Sequence, residues 1–527
     1  MSNPLVSFPF DCDAALARSG WRTEVAWPRT LTETDAGNRA AWTAFWNLIG
    51  DLDGLSRDSL LLVGGRLFLQ GLAIAEAANV TQAARSRNFV MQGGPPAVRK
   101  LAGDDSAVIL PETLASAFKA PASPSFIAAR RLYRSLALSP LRAWPRISIL
   151  PQVYALSHNP LMKAYAADEG IAVIFRHSES YFAEVRRREV RVRHQQLASE
   201  VAMRMSEMFL DGRDLDTVCC ATYREMMVPF FERSLLEAAR DITAIREVGS
   251  LPAYVWIGSS GYYPSRLVAQ EVRRRGGHVT SFEHGWGAGC ESVAELLTFG
   301  DLPFVDSYVA YTSASAAKLA AHSANGLALP GKTTTYLASR GDPFMKRLPL
   351  RRNGTRAGRT RVLYAPTITL GLRQMTPPLP ADPIYLNWQF DLCEALAAMP
   401  VDFTCQPHPE GFFRNRLHPL NAMPYAAGRP FEDLIGDTDV FIFDWMQSTT
   451  FGSALCSDRP IILLDFGTRP FDAETEVAIR RRCRVIQVSF DEFNRPVVPV
   501  DVLRDAVLDI DSAPPDNSYF RALMIGL

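Results

Sequence analysis

The chain has little that would mark a disulfide-built, metal-built or nucleic-acid-binding protein. Its 8 cysteines are scattered over 527 residues, with one adjacent pair, Cys219-Cys220, and neither a CxxC nor a Cys/His ligand spacing. That pattern reads as reduced cytosolic thiols and excludes a zinc site or disulfide framework. An excess of either charge is also missing. Lys+Arg and Asp+Glu each number 56, which argues against a broad basic field for nucleic acid. The start, MSNPLVSFPFDCDAAL, has no basic stretch followed by an apolar run, so no secretory signal is expected. No segment reads as long and apolar enough to span a bilayer. Gly64-Gly65 and Gly93-Gly94 do not form GxGxxG, so a dinucleotide fingerprint is unsupported. No DxD carboxylate pair is well placed, so no metal is expected. These absences predict a cytoplasmic protein, within reach of the inner face of the membrane.

What is present is apolar and rhythmic. Apolar residues make up 47% of the chain, and its length fits two domains plus an extra segment. Short apolar strands alternate with helix-length segments in two regions, the pattern of parallel α/β sheets. The later region has strands at 361–366 (RVLYAP), 401–407 (VDFTCQP), 440–445 (VFIFDW), 460–466 (PIILLDF) and 484–488 (RVIQV). They are apolar throughout, as strands covered on both faces are. In the earlier region the strand candidates are 59–65, 89–94, 147–152, 171–176, 253–260, 278–285 and 307–313. Helices are expected around 180–210 and 216–241, and a helical insertion at 95–145. The segment 351–361, RRNGTRAGRTR, reads as an exposed linker. The expected division is an N-terminal extension at 1–50, a first lobe at 51–350 and a second at 351–527.

Parallel-sheet domains bind ligands beyond the carboxyl ends of their strands, which selects three clusters. The first is Pro407-His408-Pro409-Glu410-Gly411, where prolines restrict the backbone around an imidazole able to meet a phosphate. A turn histidine held by carbonyls is the plainer alternative. The second is Asp444 to Thr450, where Ser448, Thr449 and Thr450 stand at the start of a helix. Hydroxyls and free amides there make an anion site, or simply an N-cap. The third is Glu283-His284-Gly285-Trp286-Gly287. His284 is the candidate general base and Glu283 a candidate beside it, unless alternation turns Glu283 away or His284 packs on Trp286. Thr367, Thr369 and Arg373 follow the 361–366 strand, with Arg373 a candidate cation for phosphate. The basic run 184–196 is a solvated helix face or a contact for anionic lipid or acidic glycan.

In this order, the HG loop, the linker, LYAPT, PHP and the STT helix resemble bacterial surface-carbohydrate transferases of the GT-B superfamily. The nearest likenesses are capsule-polysaccharide transferases and CDP-glycerol glycerophosphotransferases. The resemblance spans roughly residues 250–470. It implies two Rossmann-like domains around an interdomain cleft, with the HG motif on His284-Gly285 in the acceptor lobe. It puts the HP motif on His408-Pro409 and the hydroxyl pair on Ser448-Thr449, binding cytidine-nucleotide phosphates. SRGDPF (339–344) is similar to the turn that leaves the first lobe. Asp444 stands four residues before Ser448, farther than in the glycerophosphotransferases, which leaves CMP-activated Kdo or a sialic-type sugar equally open as donor. The implied partners are a nucleotide-activated donor and a glycan or lipid-linked acceptor, without nucleic acid, and with peripheral membrane contact as an option. A nucleotide-sugar epimerase and a catalytically silent binding partner in capsule assembly are the competing functions.

Overall fold

A computed structural model describes residues 6–104, 106, 124–141, 144, 153–191, 195–259, 261–292, 300–323, 333–351, 358–372, 376–509 and 516–527. Two strands near the N-terminus, β1 (Val6–Pro9) and β2 (Phe89–Gln92), pair in parallel and form a small sheet of their own. The first large sheet is built from β3 (Val153–Ala155), β4 (Val173–Phe175), β5 (Tyr254–Ile257), β6 (His278–Phe282), β7 (Ser307–Ala310) and β8 (Thr335–Ala338). Its spatial order is β4-β3-β5-β6-β7-β8, and every pair is parallel. The second contains β9 (Arg361–Tyr364), β10 (Asp402–Cys405), β11 (Val440–Phe443), β12 (Ile461–Asp465) and β13 (Arg484–Gln487), ordered β10-β9-β11-β12-β13 and again parallel.

Both faces of the second sheet are covered, which is why its strands are apolar without alternation. Along β11, Val440 and Ile442 enter one core with Val362, Tyr364, Trp388 and Leu464. Phe441 and Phe443 enter another with Leu363, Leu463 and Phe451. That second core continues into the first sheet through Val173, Phe175, Trp256, Phe282 and Val309, so one apolar cluster joins the two sheets.

Two expectations are corrected in the first lobe. Residues 59–65 form no strand; they lie inside the helix Gly54–Ser86. The same helix is long and apolar enough to cross a membrane, contrary to the sequence reading, but 78% of its apolar window is buried in the protein. It packs against the helices Leu31–Asp51, Gln195–Leu210 and Thr217–Arg246. A helix surrounded by helices needs no polar stripe, so its sequence lacks the period that would have distinguished it from a strand. Gly71 permits the closest approach, since a Cβ there would lie 2.3 Å from the Phe209 ring. The 89–94 candidate is the β2 strand, outside the large sheets. The 147–152 candidate and most of the 95–145 insertion lie outside the described residues.

The chain ends strap the structure. Residues 6–51 are folded against distant segments. Arg22 bonds Asn387 at 3.2 Å and Glu394 at 2.5 Å, and also meets Asp391. At the other end, the helix Ser518–Met524 packs on both Ser313–His322 and Thr449–Leu455, touching each lobe. Thr312 Oγ1 donates to the Leu523 carbonyl at 3.0 Å, and the Asp342 amide to that of Met524 at 2.7 Å. Gly341 at φ 102° admits this crossing, because a Cβ would lie 2.7 Å from the Ile525 carbonyl oxygen.

Candidate functional site

In the second sheet the winding reverses between β9 and β11, and the crevice beyond that point is where open parallel sheets take ligands. Asp444 lies buried just after β11. It accepts hydrogen bonds from the hydroxyls of Tyr364 and Tyr385, the latter at 2.9 Å, and from Trp388 Nε1 at 3.1 Å. Burial pushes its carboxyl up to about 6, against the pull of those three donors. The Tyr385 hydroxyl in turn accepts the Thr367 amide at 2.9 Å. Asp444 thus holds the loop after β9 in place.

That loop is pinned twice more. The Leu370 and Gly371 amides donate to the Asp382 carboxylate at 2.8 and 2.6 Å. The Phe412 amide donates to the Thr369 carbonyl at 2.9 Å. Gly411, at φ 87°, sits so close that a Cβ would fall 2.2 Å from the Thr369 oxygen. The loops after β9 and β10 are therefore one rigid edge. Thr367 and Thr369 are buried in it; Arg373 lies outside the described residues.

His408 projects from this edge, half-buried, beside an exposed Pro409. Its Nδ1 accepts the Glu410 amide at 3.1 Å, so in the neutral ring the proton resides on Nε2. Burial lowers its pKa below the ordinary value, making the neutral form the one present at pH 7. A second His-Pro pair, His418-Pro419, was not singled out from the sequence although the repeated dipeptide was visible. Its Nδ1 accepts the Leu420 amide at 3.2 Å, and its ring lies 4.5 Å from Phe413. Burial, with the charge of His408 second, lowers it to about 4.

Ser448 is the N-cap of the helix Thr449–Leu455. Its Oγ accepts the Phe451 amide at 3.2 Å and lies 3.1 Å from Thr450 Oγ1. Thr449 is exposed, and the first amides of this helix have no intrahelical acceptor.

On the first lobe, Glu283 and His284 point in opposite directions, as consecutive residues leaving a strand do. Glu283 is turned inward, where its carboxylate accepts the Tyr311 amide at 2.6 Å and the Ser315 hydroxyl at 3.4 Å. Burial raises its pKa far above the carboxylate range. It secures the loop after β7 and does not share a surface with His284. The His284 side chain is 45% exposed. Its Nδ1 lies 3.3 Å from the Phe282 carbonyl and 4.0 Å from Asp301 Oδ2. A carbonyl can only accept, so the Phe282 contact places the neutral ring's proton on Nδ1 and leaves a lone pair on Nε2, with the Asp301 carboxylate an electrostatic neighbour beyond hydrogen-bond distance. Asp301 was missed from the sequence, where nothing connects it to a histidine seventeen positions earlier.

Trp286 joins the clusters. Its ring lies 4.8 Å from Phe471, 5.8 Å from Phe451 and 6.1 Å from Phe520. A Cβ on Gly452 would stand 2.4 Å from its Cγ. The HG loop therefore inserts into the helix that Ser448 caps. Backbone bonds extend the seam, from the Asp472 amide to the Cys290 carbonyl and from the Ser292 amide to that of Pro470, each 2.8 Å. Lys318 adds an ion pair with Asp472 at 2.9 Å.

No known protein family and no curated protein matches the chain. Among solved structures, the glycotransferase of kitacinnamycin is similar over 71% of this chain and 92% of its own, at 15% identity and a TM-score of 0.31. At that TM-score no residue role carries over from it.

Proposed function

We propose that the chain is a two-lobed transferase of the GT-B type, taking a cytidine-activated donor in the second lobe and a glycan or lipid-linked acceptor against the first. The observation that carries this reading is the opposite setting of Nδ1 in its two loop histidines, against the Glu410 amide in His408 and against the Phe282 carbonyl in His284. His408 offers Nε2–H, a donor suited to a phosphate oxygen. His284 offers an Nε2 lone pair, an acceptor suited to a hydroxyl proton. The Trp286 seam brings the loops that bear His284 and Ser448 to a common interface.

In the proposed reaction His284 Nε2 removes the acceptor proton as the acceptor oxygen bonds the transferred carbon or phosphorus. The bond to the nucleotide phosphate breaks, and its electron pair leaves on that phosphate. His408, the hydroxyls of Ser448 and Thr450, and the Thr449 amide meet the growing negative charge with fixed dipoles. Asp301, 4.0 Å from Nδ1, balances the imidazolium. Glu283 takes no part, and no metal is invoked. The setting we propose is the cytoplasm at the inner membrane face.

Melting temperatures with CMP, CDP and UDP test the donor class, since a ligand that binds only the folded state raises its stability. Cytidine nucleotides are expected to give the larger shift, unchanged by a chelator. A larger shift with UDP, or one abolished by chelator, overturns it.

A further inference from the structure

The first sheet also reverses its winding, between β3 and β5, so a crevice suited to a ligand opens beyond the ends of those strands as well. The loop after β3 carries Asn159, a buried residue that was not singled out from the sequence. Its Oδ1 caps the helix Pro160–Glu169, accepting the Leu161 and Met162 amides at 2.7 and 3.3 Å. Two N–H donors on that side fix which end of the side chain is oxygen, so Nδ2 faces the other way. Nδ2 donates to the Gly258 carbonyl beyond β5 at 3.0 Å and to the Glu283 carbonyl beyond β6 at 3.1 Å. The Phe282 carbonyl, at 3.5 Å, is a weaker third neighbour. One side chain thus commits its oxygen to its own helix and both hydrogens to neighbouring strand ends. Gly258 permits the approach, since a Cβ there would stand 2.8 Å from Asn159 Cβ and 2.9 Å from the His158 carbonyl oxygen.

The Glu283 carbonyl belongs to the peptide bond that leads into His284. Glu283 is also held from β7 and the loop after it. Its amide donates to the Val309 carbonyl at 2.9 Å, and its carboxylate accepts the Tyr311 amide at 2.6 Å. A peptide unit is planar, so holding both the residue and its carbonyl leaves that plane no room to turn. The plane sets the direction in which the His284 side chain departs. From there Nδ1 lies 3.3 Å from the Phe282 carbonyl, the contact that puts the neutral ring's proton on Nδ1.

We propose that Asn159 is the positioning residue for His284. By tying the Glu283–His284 peptide to the loops after β3 and β5, it fixes the imidazole with its Nε2 lone pair free to take an acceptor proton. Asn159 touches no reacting atom and acts only through the His284 backbone. An aspartate would not serve, since its carboxylate would set oxygen against the Gly258 and Glu283 carbonyl oxygens. The inference rests on the transferase reading only in giving the fixed ring a proton to remove; the fixing itself requires no substrate.

Nitrogen-15 NMR of the full chain, labelled at histidine, reads the tautomer directly at about pH 9, where an imidazole is neutral. The His284 signals are those missing from His284→Ala, and in the parent they should show Nδ1–H. Asn159→Ser and Asn159→Asp each keep a capping oxygen and each remove both donors. In both variants the ring should lose its fixed Nδ1–H signature and show a mixture of tautomers. Release of CMP from CMP-activated sialic acid, with water as acceptor, is the second readout. The water oxygen bonds the sugar carbon, its proton passes to His284 Nε2, and the electron pair of the broken bond leaves on CMP. There kcat should fall by up to about a hundredfold, as for a group displaced by about 1 Å, while KM for the donor stays unchanged. A residue that only stabilised the fold would lower the melting temperature and move neither the tautomer nor the ratio of kcat to KM. An unchanged Nδ1–H signature in the folded variants overturns the proposal, and so does a parent ring that is already a mixture, a result that needs no variant to fold. A tautomer change in the variants of a chain that releases no CMP would instead retain the positioning and count against the transferase reading.

Discussion

The indole of Trp286 occupies the space left by the missing side chain of Gly452, with only 2.4 Å between its Cγ and the position a Cβ would take. One residue belongs to the loop after β6, the other to the first turns of the helix after β11. Their contact ties the loop that carries His284 to the helix that Ser448 caps.

Gly452→Ala should therefore destabilise the protein, although alanine is the better helix former by about 1 kcal/mol. Overpacking costs about 1–3 kcal/mol and should win, because Trp286 is hemmed in by Phe451, Phe471 and Phe520. Trp286→Ala should cost about 3–5 kcal/mol. The double variant should lose less than the sum, since the smaller residue 286 removes the clash. Denaturant unfolding of the four proteins checks this, and strict additivity would mean the two residues do not compete for space.

Asp444 gives stability a pH dependence of definite sign. Its folded carboxyl titrates near 6 against an ordinary 3.8, raised by burial. The folded state then holds a proton that the unfolded state releases. The associated stability is present below about pH 4 and is lost as pH rises through 6. The shift corresponds to about 3 kcal/mol. Asp444→Asn, which cannot ionise, should flatten this part of the stability–pH curve. An unchanged curve between pH 4 and 7 would show that Asp444 does not titrate in that window.

How much of this was legible depends on whether a signal was local. The second-lobe strands were readable because burial on both faces imposes a run of apolar residues within each segment. The same rule misled at 59–65, where burial on all sides of a helix leaves an identical run. β8, with the sequence TYLA, is too short and too polar to stand out. Residues 6–51 could not be placed because their partners are distant; Arg22 reaches Asn387 across 365 positions. His408, Ser448 and His284 were visible as strand-end residues, but their tautomers and caps were not. Those depend on the amides of Glu410 and Phe451 and on the Phe282 carbonyl, which only the folded backbone orients.

Ser448 is both a cap and a proposed phosphate ligand, and the two roles separate by substitution. Ser448→Ala should cost about 1 kcal/mol through the lost cap and also weaken nucleotide binding, so it cannot discriminate. Ser448→Asp keeps a capping oxygen and complements the helix dipole, but sets a negative charge against phosphate. Its melting temperature should stay near the parent's while CMP or CDP affinity falls at least about tenfold, the loss of one charge-assisted hydrogen bond. His408→Ala should show a similar fall. Calorimetry on the three variants checks this; normal affinity in Ser448→Asp would reduce Ser448 to a cap.

His284→Ala bears on the mechanism most directly. Trp286 is buried in the seam while the neighbouring imidazole stands out from it, so the two do not pack as a structural pair. Its removal should leave the melting temperature nearly unchanged, since it deletes no buried contact. Donor affinity should also persist, because the proposed phosphate contacts come from the other lobe. Turnover should fall by about 10²–10⁴, the usual cost of losing a general base. That loss should appear in kcat, because the proton moves only as the acceptor reacts. Asp301→Asn should fall in the same parameter by a smaller factor, keeping the ring but losing the charge that balances the imidazolium. Activity, melting temperature and CMP binding measured on one preparation of each variant decide the matter. A stable His284→Ala enzyme with near-normal kcat would remove the imidazole from the reaction. The base would then have to be another group at the seam; Glu291 lies in the same loop, with its carboxyl pushed up to about 8 by burial, so a rate carried by Glu291 should rise as pH passes 8.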